Sequence, residues 1–158
     1  RNRGLTAALR TGFRAVRGDV IVFLPADLES DPEEDIPKLL AKLDEGYDVV
    51  AGWRQGRKEG KVFASGIYNT VSRWLFGLKI HDMNWIKGFR REVIEGMRIR
   101  SKRFNFEPEF TAKILKRKYR IFEVPITFNP RDYAEGKKIG LKDAFEAVWA
   151  LLRYRFFD

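Results

Sequence analysis

The fold of this chain is decided by one stretch, VIVFLPADLESDP, at residues 20–32. It begins with five consecutive apolar residues rich in β-branched side chains, which is typical of a strand buried on both faces of a sheet. Pro25 ends this strand. A helix then has a strong start, because Asp31 is placed to cap it, Pro32 suits its first position and Glu34 completes a capping box. The stretch therefore predicts a buried strand, an acidic turn and a helix, in that order.

A second strand follows this helix and sets the fold class. The helix carries one apolar stripe, made by Ile36, Leu39, Leu40 and Leu43. Gly46 is placed to end it, and residues 48–53 have the pattern of another short, buried strand. A strand, a helix and a strand in this order form a βαβ unit. We therefore predict an α/β fold with a parallel sheet and a right-handed crossover.

Apolar periodicity continues on both sides of this unit. It predicts helices over residues 3–17, 62–75 and 141–156, a helix opened by Pro108, and a strand over 120–128. Pro125 indicates that this last strand lies at an edge of the sheet or contains a bulge. Because the length suits one domain and no repeat or linker is visible, residues 1–158 are predicted to form a single domain.

The composition excludes several classes of site. The chain has no cysteine and one histidine, so disulfides, cysteine-ligated zinc and histidine-rich metal sites are excluded. Its net charge of +9 indicates an anionic partner, which leaves nucleic acid, anionic lipid and phosphorylated substrates open. No run of about 18 apolar residues is present, so no segment is predicted to span a bilayer.

Two acidic residues follow the first buried strand. In open parallel sheets, ligands bind outside the carboxyl ends of the strands. Asp27 and Glu29 occupy that position, and their carboxylates suit a hard cation such as Mg²⁺ or Mn²⁺. The alternative is a polar turn whose acids only cap the next helix, and this is how we interpret Asp31.

Several segments together carry a resemblance to a known family. They follow one another in the right order along nearly the whole chain, at residues 2–4, 11–13, 18–23, 26–28, 46–54, 82–84, 89–93, 106–109 and 119–125. The chain resembles a family 2 glycosyltransferase with the GT-A fold, and is most similar to dolichyl- or polyprenyl-phosphate mannose and glucose synthases. The resemblance implies a mostly parallel sheet flanked by helices, with the first nucleotide-binding strands missing. Residues 1–158 are then expected to be a partial catalytic domain.

The resemblance also implies roles for residues at the strand ends. Asp27 matches the second aspartate of the Asp-X-Asp signature, which holds a divalent metal, Mg²⁺ or Mn²⁺, on the donor diphosphate. Glu29 matches a position that assists metal binding. Arg54 matches an arginine that resembles an acceptor-phosphate ligand, with a solvated loop charge as the alternative. Pro25 stands in the place of the first aspartate of the signature.

Further expected site residues lie in the second half of the chain. Asp82 matches an aspartate near the acceptor end of the donor site and is the candidate base for a hydroxyl acceptor. Lys87 lies in an altered motif from which it is expected to reach a phosphate. Arg131, followed by Lys137 and Lys138, resembles a mobile basic loop that closes over diphosphate and acceptor. A solvated basic turn is the alternative for both lysines.

The activity implied by the resemblance is a metal-dependent, inverting hexosyl transfer. The donor is expected to be a UDP- or GDP-sugar, and the acceptor a polyprenyl phosphate at the cytosolic face of a membrane. The last helix ends in an aromatic and basic segment suited to lipid headgroups, or alternatively to packing on the sheet. This segment comprises Trp149, Arg153, Tyr154, Arg155, Phe156 and Phe157.

Two other functions are compatible with parts of the sequence. A nucleic-acid-binding module would place basic residues on one face among exposed aromatics, whereas here they are scattered along the chain beside 22 acidic residues. Nucleic acid is therefore not expected as a partner. A degenerate transferase homologue, which binds a partner or lipid without turnover, is the second interpretation and is motivated by Pro25.

Overall fold

A computed structural model describes residues 3–54, 70–71, 73–75, 86–101, 106–129 and 141–157. The described strands are β1 (Val20–Phe23), β2 (Val49–Arg54), β3 (Lys87–Arg90) and β4 (Ile121–Ile126). The principal helices are α1 (Leu5–Ala15), α2 (Pro32–Asp44), α3 (Phe106–Lys116) and α4 (Leu141–Phe156). Residues 70–71 and 73–75 are also helical, within the helix predicted over 62–75. No helix in these ranges combines the length and apolarity needed to cross a membrane.

The four strands form one mixed sheet in the order β1-β3-β2-β4. β2 and β4 pair in parallel, and β3 pairs antiparallel with both β1 and β2. β1, β2 and β4 therefore point the same way, as predicted. The sheet is mixed, because β3 lies between β1 and β2 and runs antiparallel to both. β3 was not predicted as a strand, since its sequence KGFR lacks a buried-strand pattern and acquires its burial from its neighbours.

The predicted cap of α2 is confirmed, with one change. Asp31 Oδ1 accepts hydrogen bonds from the backbone N–H groups of Glu33 at 3.0 Å and Glu34 at 3.4 Å. The reciprocal bond comes from Asp35, whose Oδ2 accepts the N–H of Asp31 at 3.1 Å. The capping box predicted through Glu34 was therefore wrong, because the Glu34 carboxylate instead accepts a hydrogen bond from Lys38.

The carboxyl end of α2 is closed by glycine, as predicted. Gly46 has φ of +96°, a conformation that side chains rarely adopt. Its N–H donates to the carbonyl of Leu43 at 3.0 Å, and the N–H of Tyr47 donates to the carbonyl of Lys42 at 3.4 Å. This pair of bonds is a Schellman motif, which turns the chain into β2.

Helices pack on both faces of the sheet. On one face, an aromatic cluster joins the sheet to α1 and α3, through Phe13, Phe89, Phe106 and Phe110. On the other face, Leu39 and Leu43 of α2 pack on a cluster that includes Val50. α2 lies so close that a Cβ on Gly88 would come within 3.1 Å of Leu43. Leu40, predicted in the apolar stripe, is instead 37% exposed.

The other predicted elements are close to the observed ones. α1 is shorter than predicted by two residues at each end, and α3 begins two residues before Pro108. α4 has the predicted bounds. β4 is the last strand in the order of the described sheet, and Pro125 within it is exposed and lies opposite Trp53. The edge position predicted from Pro125 is thus confirmed.

Candidate functional site at the carboxyl edge of the sheet

The loop that follows β1, residues 24–31, crosses the edge where the parallel strands end. β1 and β4 lie at opposite ends of the described sheet order. Nevertheless, the N–H of Asn129, just after β4, donates a hydrogen bond of 2.8 Å to the carbonyl of Glu29 in this loop. The loop therefore runs along the carboxyl edge, which is where ligands bind in open α/β sheets.

The centre of this loop makes a tight, strained turn. Leu28 has φ of +60°, a left-handed conformation that is rare for a bulky side chain, and it is 89% exposed. The N–H of Glu29 donates to Asp27 Oδ1 at 3.3 Å, which orients the Asp27 carboxylate. Asp27 is partly exposed, whereas Glu29 is only 2% exposed. The two predicted metal ligands thus share one turn but differ in solvent access.

Asp35 ties the same loop to the end of β4 a second time. This carboxylate is fully buried, and it accepts the N–H of Asp31 through Oδ2 and the N–H of Thr127 through Oδ1, each at 3.1 Å. The Thr127 hydroxyl donates to Glu34 Oε2 at 2.8 Å. The start of α2 and the exit of β4 are therefore held together by side chains of α2.

Two charged side chains at this junction, Glu34 and Lys38, shift each other's pKa. Hydrogen bonds from Lys38 and then from Thr127 lower the pKa of Glu34. The hydrogen bond to Glu34 in turn raises the pKa of Lys38. Both side chains are thus held in their charged forms at neutral pH beside the β4 exit.

Arg54 lies at the carboxyl end of β2, as predicted. It is 8% exposed, and its guanidinium lies 5.3 Å from the centre of the Phe128 ring. Side chains alternate along a strand, so Arg54 shares the α2-facing side of the sheet with Val50. Phe128 immediately precedes Asn129, which binds the acidic loop. The structure therefore brings Arg54 and the Asp27 loop to one segment of chain after β4.

Lys87 reaches the same edge on the other face of the sheet. It is the first residue of β3, opposite Phe23 at the end of β1. Its side chain is 2% exposed, and Nζ lies 2.5 Å from Oε2 of Glu107 at the start of α3. Because the neighbouring Gly88 faces α2, Lys87 points away from the side that carries Arg54. Its predicted role as a phosphate ligand stays a prediction, and a phosphate there would compete with Glu107.

The remaining predicted site residues lie outside the described residues. They are Asp82, Arg131, Lys137 and Lys138. Other residues at the edge were not predicted from the sequence, namely Asp35, Glu107, Thr127, Phe128 and Asn129. Thr127, Phe128 and Asn129 could have been found from their position in the sequence. They directly follow a strand whose carboxyl end lies at the same edge as those of β1 and β2.

The residues present fit a divalent cation that is only partly ligated by protein. Asp27 offers a partly exposed, hard carboxylate at this turn, which suits Mg²⁺ or Mn²⁺, and the role of the buried Glu29 as a ligand stays a prediction. Within the described ranges, no group of three or more acidic, histidine or cysteine side chains is placed to hold a metal. A cation at this edge would therefore complete its shell with water and ligand phosphate, as Mg²⁺ commonly does.

Solved structures share this architecture. Glucosyl-3-phosphoglycerate synthase from Mycobacterium tuberculosis in complex with UDP is 18% identical, with a TM-score of 0.72, over 98% of this chain and 56% of that one. The same enzyme with Mn²⁺, UDP-glucose and phosphoglyceric acid is 17% identical, with a TM-score of 0.69, over 98% of this chain and 55% of that one. The chain thus spans little more than half the length of the chains it matches, and it has their GT-A fold.

Sequence comparison agrees with the fold. The model of the family described as Glycosyl transferase family 2 matches residues 1–106, which is more than half of the 158 residues. The matched region contains the acidic loop with Asp27, the end of β2 with Arg54, and β3 with Lys87. The chain belongs to glycosyl transferase family 2.

Proposed function

We propose that the protein is an inverting glycosyltransferase that moves a sugar from a UDP- or GDP-sugar to a polyprenyl phosphate at the cytosolic face of a membrane. One observation carries this proposal. The loop with Asp27 is tied across the carboxyl edge to the segment after β4, against which Arg54 is stacked. An acidic, cation-binding turn and a buried arginine at one edge suit a reaction between two phosphorylated substrates.

The acidic loop is assigned to the donor diphosphate. Asp27, with Glu29, would hold a divalent cation there, and such a cation would supply positive charge against the leaving diphosphate. The N–H of Glu29 holds the Asp27 carboxylate in one orientation, and the two ties to the β4 exit hold the loop itself. Support comes from the matched synthase, which was crystallised with Mn²⁺ and UDP-glucose or with Mg²⁺ and UDP.

Arg54 is assigned to the acceptor phosphate. Its guanidinium carries a permanent charge and a planar set of donors that matches two phosphate oxygens. Stacking beside Phe128 restricts its orientation, so less freedom is lost when a phosphate binds. The predicted ligands Arg131, Lys137 and Lys138 would add to this charge.

The proposed reaction is a single displacement. A phosphate oxygen of the acceptor attacks the anomeric carbon, a new carbon–oxygen bond forms, and the bond to the nucleotide diphosphate breaks with inversion. The nucleophile is already an anion, so no strong general base is needed. For a hydroxyl acceptor, Asp82 would be the candidate base.

A small phosphorylated acceptor is the main competitor for the same site. The matched synthase was crystallised with phosphoglyceric acid and with glycerol 3-phosphate. Both molecules present a phosphate, so Arg54 serves either acceptor. The polyprenyl phosphate is preferred because of the sequence resemblance and the aromatic end of α4.

A homologue that binds without turnover is the second candidate function. Pro25 occupies the position of the first signature aspartate, which removes one carboxylate from the cation site. Such a protein would retain acceptor or lipid binding through Arg54, without metal-dependent transfer.

The test is a transfer assay on the full-length protein. Labelled UDP-glucose or GDP-mannose is supplied with polyprenyl phosphate or with 3-phosphoglycerate, in the presence of Mg²⁺, Mn²⁺ or EDTA. We expect a lipid-linked product that requires metal and is lost in Asp27→Ala. The matched control is Asp44→Ala, an exposed aspartate at the far end of α2, which should retain activity.

The arms of this assay separate the candidates. If product forms only with 3-phosphoglycerate, the protein is a glycosyltransferase but its acceptor is not polyprenyl phosphate. Metal-dependent donor hydrolysis without transfer of the sugar to either phosphorylated acceptor would indicate that the acceptor is a different hydroxyl compound. Neither product nor metal-dependent donor binding would refute the enzyme and favour the homologue without turnover.

A further inference from the structure

The carboxyl-terminal half of α4 has one face that is fully used in packing. Ala150, Leu151 and Tyr154 are buried, and Ala150 and Tyr154 cluster with Ala112 of α3. The Tyr154 ring also lies 5.6 Å from Nζ of Lys113. These contacts fix which side of α4 faces the domain.

The opposite face of α4 presents large aromatic side chains to solvent. Trp149 is 66% exposed, and Phe156, two turns further along, is 65% exposed. Arg153 lies between them at helical spacing, and Phe157 beyond the helix end is 81% exposed. A helix of a globular domain normally places such residues inward, so this face is expected to be covered in the whole protein.

A second segment extends this surface. Nε of Arg155 donates a hydrogen bond of 3.3 Å to the carbonyl of Leu75, which brings residues 73–75 beside the end of α4. Trp74 in that segment is 81% exposed. We name these side chains the aromatic surface, defined as Trp74, Trp149, Phe156 and Phe157. Among the residues that the structure describes, it contains every large aromatic side chain classed as exposed.

The charge around the aromatic surface is mainly positive, although Glu146 lies one helical turn before Trp149 and Asp158 follows Phe157 in the sequence. Arg73, Arg153 and Arg155 are all exposed, and neither 73–75 nor 147–157 contains an acidic residue. The whole chain carries a net charge of +9. A partner that covers this surface should therefore offer both apolar area and negative charge.

We propose that the aromatic surface docks on the headgroup and upper acyl region of an anionic lipid bilayer. Tryptophan and phenylalanine enter that region readily, and arginine pairs with lipid phosphates. An arginine in the middle of an aromatic stripe suits this layered environment better than the dry centre of a protein interface. The inference rests on the proposed lipid-phosphate acceptor, because docking would bring the domain to the surface where such an acceptor lies.

The test measures vesicle binding by the full-length protein without donor or acceptor. Flotation is compared between phosphatidylcholine vesicles and vesicles with about 30% phosphatidylglycerol. We expect binding to the anionic vesicles, weakened roughly tenfold or more in the triple variant Trp149→Ser, Phe156→Ser, Phe157→Ser. The matched control replaces exposed apolar residues on other helices, Leu5→Ser with Leu40→Ser, and should bind like the parent protein.

A second measurement locates the contact. Brominated lipids quench tryptophan fluorescence at short range, and comparison with Trp149→Phe isolates the signal of that residue. We expect quenching of Trp149 on anionic vesicles. Arg153→Gln should weaken binding to anionic vesicles and reduce its dependence on salt.

Several results would overturn the inference. These are equal flotation of the parent and the triple variant, absence of flotation by the parent, and an oligomer seen by light scattering that dissociates in the triple variant without any vesicle binding. The last would assign the surface to a second copy of the protein.

Transfer to 3-phosphoglycerate or a short-chain, water-soluble polyprenyl phosphate separates this inference from the proposed function. If the parent protein transfers sugar to the soluble acceptor but does not bind vesicles, only the docking inference is refuted. Vesicle binding without any transfer would refute the proposed function alone.

Discussion

Removal of the Asp35 carboxylate should loosen the acidic loop, although Asp35 lies in α2 and outside that loop. Asp35 is fully buried and accepts two backbone N–H groups, from Asp31 and from Thr127, each at 3.1 Å. A hydrogen bond to a charged group contributes about 1.5 to 3 kcal/mol. Taking the lower value for both bonds, since their donors are only partly buried, Asp35→Ala should reduce the free energy of unfolding by about 3 kcal/mol.

The other end of β4 provides a matched control. Asp48 accepts the N–H of Arg120 at 2.6 Å, just before β4 begins, so it holds the same strand through one backbone bond at the opposite edge. Because this bond is exposed, Asp48→Ala should cost at most half as much, at most about 1.5 kcal/mol. Urea unfolding monitored by circular dichroism gives both values.

The two variants should differ more in function than in stability. If Asp35 holds the acidic loop in place, Asp35→Ala should bind Mn²⁺ roughly tenfold more weakly, as is typical when a residue that orients metal ligands is lost. Asp48→Ala should bind it like the parent protein. Titration of full-length protein with Mn²⁺ in the presence of UDP, followed by electron paramagnetic resonance, measures this. Equal stability losses in the two variants, or equal Mn²⁺ affinities, would refute the reasoning.

Three further predictions follow from packing and charge. Gly52→Ala should destabilise the protein by about 1 to 3 kcal/mol, because the added Cβ would lie 2.6 and 2.7 Å from isoleucine side-chain atoms; an unchanged thermal midpoint would contradict this. Lys87→Met should cost about 3 to 5 kcal/mol, because it leaves the Glu107 carboxylate without its ammonium partner. The double variant Lys87→Met, Glu107→Gln should regain part of the lost free energy of unfolding, measured with urea. If it does not, the loss is not caused by breaking the Lys87–Glu107 ion pair. The lowered pKa of Glu34 predicts that its hydrogen bonds, including that from Thr127, stabilise the fold above its unfolded pKa and are lost as pH falls through its folded pKa. In Glu34→Gln, the free energy of unfolding should therefore fall less steeply as the pH is lowered. If it falls as steeply as in the parent protein, the hydrogen bonds of Glu34 are not the cause.

Local features of the chain were predictable because their causes are local. The run of apolar residues at 20–24 has few alternatives to a buried strand, and the cap by Asp31 and the end at Gly46 depend on a few neighbouring residues. The edge position of β4 also followed from one residue, Pro125, which lacks an N–H for a further strand. The rule that ligands bind at carboxyl strand ends then pointed to Asp27 and Glu29 without knowledge of their contacts, whereas Arg54 followed from the family resemblance.

Tertiary structure alone decided the rest, because those features depend on residues far apart in the sequence. β3 is a strand because β1 and β2 supply its hydrogen bonds, and Lys87 is buried because Glu107 supplies its counter-charge. From the sequence alone, the aromatic side chains of α4 could lie in a core or on a surface. In the fold, the opposite face of α4 packs on α3, which leaves these aromatic side chains exposed. The sequence by itself determined the principal helices, three of the four described strands, their order and the candidate acids. Only the folded chain determined which groups meet, because burial and pairing across a sheet are properties of contacts that no local pattern contains.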